Sequence, residues 1–301
     1  MSTLALTPPP GSQGPGPMPA RLIDALDLAL VRRAAGAIPG EHRSPGVGLG
    51  TELAQLREYQ PGDDVRQLDA AASARTGVPH VRLQVPERLM TCWIVLDVSP
   101  SMAFGTGARL KSDVAAGVAT VVARLAVRRG GRAGLVLCGG EAESVLAPRS
   151  GRRASAAIER AVAAGVVPDL RGDPDSLARA LARVRRLART AGLVVVVSDF
   201  RSDGWEPSLR ALGHRHSLVA VDVRDPREEA LPAAGTLRLV DPESGAEIEA
   251  DTRDERLRRR YAEREQARRA ALRDALRAAS ADHFVLATDS PWLEQLARRL
   301  R

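Results

Sequence analysis

Five apolar stretches of strand character, at 91–97, 132–138, 193–198, 217–223 and 283–287, alternate with segments whose Leu, Val and Ala recur at helical intervals. Strands that are apolar on both faces cannot leave either face in water. The series therefore predicts an α/β fold with a mainly parallel sheet, Rossmann-like and covered by helices on both faces. Helices are expected over 108–128, 152–164, 176–190, 254–279 and 291–299, with a short one ending at 209–212. A weaker strand is expected at 143–147, and two short ones at 236–240 and 247–250 flank the turn "DPESGA". Upstream, residues 1–19 are rich in Pro and Gly and read as a disordered tail. Residues 20–90 hold one amphipathic helix (20–35) and an irregular, glycine-punctuated segment, and 91–301 form the α/β domain. A sheet of this kind gathers its functional groups at the carboxyl ends of its strands.

Composition narrows the function classes. The chain of 301 residues carries a net charge of +7, yet its aromatic content is only 3% and its arginines are interleaved with acids. Few rings are available to stack on bases, so nucleic-acid binding is not expected. Lys111 is the only lysine; every other basic side chain, His apart, is arginine. Cys92 and Cys138 lie inside apolar runs and read as core residues, with no zinc spacing. No window holds about 18 uninterrupted apolar residues, so no membrane span is expected. With no leader pattern either, the expected location is the cytoplasm. His214 and His216 stand two apart and read as solvent-facing.

The chemistry concentrates where strand 91–97 ends. In "WIVLDVSPSM" one carboxylate and two hydroxyls, Asp97, Ser99 and Ser101, occupy alternate positions, so an extended backbone points all three the same way. Hard cations such as Mg²⁺ or Mn²⁺ take oxygen ligands of this kind. The same residues also serve as turn formers and helix caps, which is the bland alternative. "VVVVSDF" adds Asp199 directly after the most apolar strand. Two acids leaving two buried strands toward one edge repel unless hydrogen-bonded, protonated or bridged by a cation.

"DVSPS" with a later "SDF" resembles the metal-ion-dependent adhesion site of von Willebrand factor type A domains. The resemblance implies a cation held by Asp97, Ser99, Ser101 and Asp199, with one position left for an acidic residue of a protein ligand. The family's loop Thr is absent: in "RGDPDSLARAL", alignment on Leu177 puts Asp175 at that position with Ser176 beside it. Residues 50–82, "GTELAQLREYQPGDDVRQLDAAASARTGVPHVR", resemble the signature of the bacterial family called domain of unknown function fifty-eight, which pairs this segment with a von Willebrand factor A-like domain. "VRDPREEALPAAGTLRLVDPESGAEIEAD" resembles the same family. Ala70 and Ala71 stand where its members usually have Trp and Arg. The resemblance implies a MoxR-type AAA+ ATPase as partner. Within the signature, Arg57, Glu58, Asp63, Asp64, Arg66, Asp69 and Arg75 form either an internal ion-pair network, the favoured reading, or a binding face.

Neither a phosphate-binding glycine loop nor a nucleophile elbow is present. The expectation is a non-enzymatic, divalent-cation-dependent protein-interaction module. The rivals are a metal-dependent phosphohydrolase or phosphotransferase, with Arg201 the only nearby cationic candidate, and a scaffold whose metal site has decayed.

Overall fold

The computed structural model describes residues 14–19, 21–23, 26, 53–84, 90–128 and 130–300. The chain divides into two units, 40–89 and a second made of 1–39 with 90–301. Most of the helix expected over 20–35 lies outside the described residues.

Within 40–89, β1 (Leu53–Glu58) pairs antiparallel with β2 (His80–Gln84), and α1 (Ala70–Thr76) lies between them in sequence. The sequence alone predicts an irregular segment here. It is ordered by short-range polar contacts. Asp69 caps α1 by accepting from the Ala72 N–H at 2.9 Å, and Gly77 ends it in the left-handed region at φ 73°. Among the interleaved charges, Arg57 pairs with Asp63 at 2.6 Å, and Asp64 accepts from the Arg66 N–H at 3.0 Å.

The second unit carries a six-stranded sheet in the order β10-β7-β6-β3-β4-β5. Its strands are β3 (Thr91–Asp97), β4 (Arg132–Cys138), β5 (Ser144–Arg149), β6 (Leu193–Ser198), β7 (Ser217–Arg224) and β10 (Ala281–Ala287). All neighbours are parallel except β4 with β5. Alternate side chains of each buried strand feed two cores. On one face Cys92, Ile94 and Leu96 of β3 meet α2 (Lys111–Arg128), α3 (Arg152–Val162) and α7 (Trp292–Leu300). On the other, Trp93 and Val95 meet α4 (Ser176–Leu187), α5 (Glu206–Gly213) and α6 (Glu255–Ala278). A separate hairpin, β8 (Thr236–Val240) with β9 (Glu247–Asp251), precedes α6.

Three expectations need correction. The helix expected from residue 108 begins at Lys111, because the preceding turns are tied elsewhere: the Lys111 N–H donates to the Phe104 carbonyl at 2.9 Å. Residues 14–19, expected within a disordered tail, include Pro15, whose carbonyl accepts from Trp292 Nε1 at 2.8 Å. His214 is exposed as expected, but His216 is buried between α5 and β7, and burial lowers its pKa. Cys92 and Cys138 are both buried and free, and burial pushes the Cys92 thiol up to about 12. Among the described residues no helix is long and apolar enough to cross a membrane.

Candidate functional site

The chain enters the sheet at β3, builds outward through β4 and β5, then returns to place β6, β7 and β10 on the other side of β3. The strand order therefore reverses between β3 and β6, and a crevice opens outside the carboxyl ends of these two strands. Leu96 is in register with Val197, so Asp97 and Asp199 leave the sheet side by side. Both line a groove of about 1260 Å³ together with Ser99, Ser101, Asp175 and Ser176. The structure thus brings all six sequence-derived residues to one place.

The loop after β3 is fixed from two sides. The Val98 N–H donates to Cys138 O, and the Val98 carbonyl accepts from the Val167 N–H, each at 2.7 Å. Gly139, at φ 138°, lets β4 end hard against the Ser99 backbone, where a Cβ would collide. Pro100–Ala103 then forms one turn of 3-10 helix. The Ser99 and Ser101 hydroxyls come to 3.1 Å of each other.

Asp97 is 6% exposed. One carboxylate oxygen accepts from the Ser99 N–H at 2.9 Å and the other from the Ser198 hydroxyl at 2.5 Å. Among the described residues no Lys, Arg or His reaches it. Burial first, and the Asp199 charge second, push its pKa up to about 6.

Asp199 is treated differently. Lys111, fully buried at the start of α2, places Nζ 2.7 Å from Asp199 Oδ2 and 2.7 Å from Glu228 Oε1. Burial would raise the Asp199 pKa, but the Lys111 ammonium outweighs it and holds the carboxyl below its ordinary value. Burial would likewise lower the Lys111 pKa, and Asp199 and Glu228 outweigh that. Arg201 meets Glu228 at 3.2 Å and Glu265 at 3.7 Å, and Glu265 also takes Arg268 at 2.8 Å and Arg269 at 2.9 Å. Arg269 closes the chain on Glu229 at 2.6 Å. This network alternates four cations with four acids and is neutral in itself. Asp97 stands outside it.

Asp225, also buried, shows that burial alone does not raise a carboxylate here. It accepts from the Thr106 N–H and hydroxyl at 2.7 and 2.5 Å, from the Thr288 hydroxyl at 2.6 Å and from the Arg227 N–H at 2.9 Å. These bonds, Thr106 foremost, outweigh desolvation and lower its pKa. Thr288→Val removes one charge-assisted bond from a fully buried site and is expected to cost about 2 kcal/mol in urea unfolding. A loss within experimental error would mean that Thr106 and the Arg227 N–H suffice to hold Asp225.

A family model described as "Protein of unknown function DUF58" matches residues 55–271. The chain belongs to the DUF58 family. It is 36% identical over 289 residues to uncharacterized proteins of Mycobacterium tuberculosis and Mycobacterium bovis, covering 94% of this chain and 89% of theirs. Solved structures similar to it include the conserved hypothetical protein BatB from Bacteroides thetaiotaomicron (13% identity, 70% of this chain and 97% of that one, TM-score 0.46). The SpRpn10 VWA domain is another (14% identity, 69% and 93%, TM-score 0.38).

In this DUF58 chain the sequence reading missed four groups at the site. Lys111, Ser198 and Glu243 touch Asp199, Asp97 and Ser101 respectively, and Glu228 joins them through Lys111. Arg201 is therefore not the only cation near the acids, as the sequence implied. The lone lysine of an arginine-rich chain was the available signal for Lys111. Asp175 is exposed and, as N-cap of α4, makes no side-chain capping bond, while Ser176 is 4% exposed. The loop's ion pair belongs instead to Asp173, 2.7 Å from Arg179.

Proposed function

We propose that this protein is a non-enzymatic interaction module that binds Mg²⁺ or Mn²⁺ and uses the ion to hold a carboxylate of a partner protein. The observation that carries the reading is Asp97: a buried carboxylate with no cationic side chain on it, beside two hydroxyls that face each other. Octahedral Mg²⁺ holds oxygens at about 2.1 Å, so neighbouring ligand oxygens stand about 3.0 Å apart. The Ser99 and Ser101 hydroxyls are 3.1 Å apart. Asp97, Ser99 and Ser101 fit an ion of this class. Among the described residues no three His, Cys, Asp or Glu side chains converge on one point, so serine oxygens have to complete the donor set. Asp199 has both oxygens engaged, one by Lys111 and one by the Arg201 N–H at 3.2 Å. It therefore stands beside the ion with its charge balanced by Lys111, and Asp175 and Ser176 assist from the start of α4. A bound cation would supply an electrophilic anchor for an incoming carboxylate.

The family resemblance, rather than the site, supports a MoxR-type AAA+ ATPase as the partner that recruits or remodels the complex, acting in the cytoplasm. Lys111 and Arg201 favour one rival, a metal-dependent phosphohydrolase or phosphotransferase, because both cations stand beside Asp199. Each already bridges two carboxylates, and a phosphate would have to break those pairs.

Calorimetric titration of Mg²⁺ and Mn²⁺ into the metal-stripped protein tests the reading. Saturable binding that disappears in Asp97→Ala is expected. Heats no larger than dilution for both proteins would sink the cation and leave a decayed scaffold. Turnover of p-nitrophenyl phosphate that is lost in Asp97→Ala would promote the phosphohydrolase.

A further inference from the structure

The turn joining β8 to β9 is braced from within. Asp241 accepts from the Glu243 N–H at 3.1 Å and from the Ser244 hydroxyl, and the Gly245 N–H returns to the Asp241 carbonyl at 2.8 Å. The tip is also seated. The Leu170 N–H donates to the Pro242 carbonyl at 3.0 Å, and Gly245, at φ 71°, lies so close to Leu170 that a Cβ would not fit. From this tip Glu243 enters the groove. Its Oε1 accepts from the Ser101 N–H at 3.1 Å, and its Oε2 rests on Gly172, where a Cβ would collide with it. Pro100 walls the same slot. Val240 and Ile248 of the hairpin are 53% and 62% exposed, while Leu237 and Leu239 of β8 line the groove with the tip.

A glutamate placed beside Asp97 and Asp199 for stability alone would meet an arginine. Among the described residues none reaches Glu243, although Arg201, Arg227 and Arg238 line the same groove. The carboxylate sits as a ligand sits, on a backbone N–H and a glycine floor.

We infer that the slot formed by the Ser101 N–H, Pro100 and Gly172 is a docking point for an acidic side chain of a partner segment, and that Glu243 is the chain's own occupant, which the partner displaces. The slot states the partner's chemistry: a segment that presents one carboxylate to the Ser101 N–H over the Gly172 floor, as Glu243 does. The inference rests on the cation reading above for the strength of the hold, because an ion on Asp97 would strengthen any carboxylate seated beside it. A slot filled from within also lowers the apparent affinity for an outside ligand by the fraction of time it stands open.

The probe is a fluorescent peptide of residues 236–251, the hairpin's own sequence, titrated into the full chain with saturating Mg²⁺. Wild type is expected to bind it weakly and Glu243→Ala about tenfold more tightly, as for a slot open one-tenth of the time. A peptide with Gln in place of Glu243 should gain nothing from the same variant. Gly172→Ala should release the hairpin, seen as faster amide hydrogen exchange over 236–251, yet show no gain, because its methyl fills the slot. Equal peptide affinity in wild type and Glu243→Ala, with hairpin exchange unchanged, overturns the inference. Mg²⁺ calorimetry on the same preparations separates the two readings. Intact ion binding without the peptide gain removes the docking slot alone. A peptide gain that persists in EDTA, with no ion binding, removes the cation alone.

Discussion

Asp97→Asn is expected to raise the melting temperature of the metal-free protein at neutral pH by about 3–5 °C, the equivalent of about 2–3 kcal/mol in a chain of this size. Asn keeps an acceptor for the Ser99 N–H and presents an amide to the Ser198 hydroxyl, so both present bonds have successors. What disappears is the charge. The folded pKa of Asp97 is raised to about 6 from 3.8, so the native state binds its proton more tightly than the unfolded chain does. That contribution to stability is complete below pH 3.8 and is lost as pH rises to about 6, a difference of about 3 kcal/mol at 1.4 kcal/mol per unit. The advantage of Asn should therefore vanish in acid. It should also shrink when Mg²⁺ is added, since only the wild type gains from the ion. A variant less stable than wild type at neutral pH would show that the Asp97 charge is already balanced.

Lys111→Met should have the opposite effect and is expected to cost about 3–5 kcal/mol, the usual loss when one member of a buried ion pair is removed. Met approximates the aliphatic stem, so the loss reports the ammonium. Without it Asp199, 3% exposed, loses its ammonium partner and faces Glu228, which keeps Arg201. Adding Asp199→Asn to the same chain should recover about 1–3 kcal/mol, because the two sites share one interaction. The acid side gives a second check. Asp199 has a lowered folded pKa, so its contribution is present above the ordinary value of 3.8 and is lost as pH falls through the lowered one. That limb of the acid-unfolding curve should be missing in Lys111→Met. Urea unfolding midpoints against pH measure all of this; a single-variant loss below 1 kcal/mol would mean that water replaces the lysine.

The sheet was legible because its evidence is local. "LVVVVS" and "WIVLD" state burial within six residues, and β3, β4 and β6 fall where those runs predicted. Asp97, Ser99, Ser101 and Asp199 were legible for the same reason, as polar residues placed directly after such strands. The groups that decide the electrostatics were not. Lys111 meets Asp199 across 88 positions and Glu228 across 117, and Glu243 meets Ser101 across 142. No spacing rule links residues so far apart, and each looks in sequence like an ordinary helix start or turn acid. The hairpin and helix of 40–89 escaped for another reason. Asp69 and Gly77, which cap α1, were visible, but "AAASART" carries almost no apolar periodicity between them.

The burial of Lys111 also decides how the protein meets amine-reactive chemistry. The chain's one lysine side chain has no surface exposed. Acetyl donors, isothiocyanates and succinimidyl esters can therefore reach an ε-amine only after α2 and its acidic partners have come apart. Because the modification cannot be reversed by refolding, the yield of acylated Lys111 accumulates with each opening. A single peptide mass then acts as a clock for unfolding in a crowded mixture, where spectroscopy cannot follow one protein.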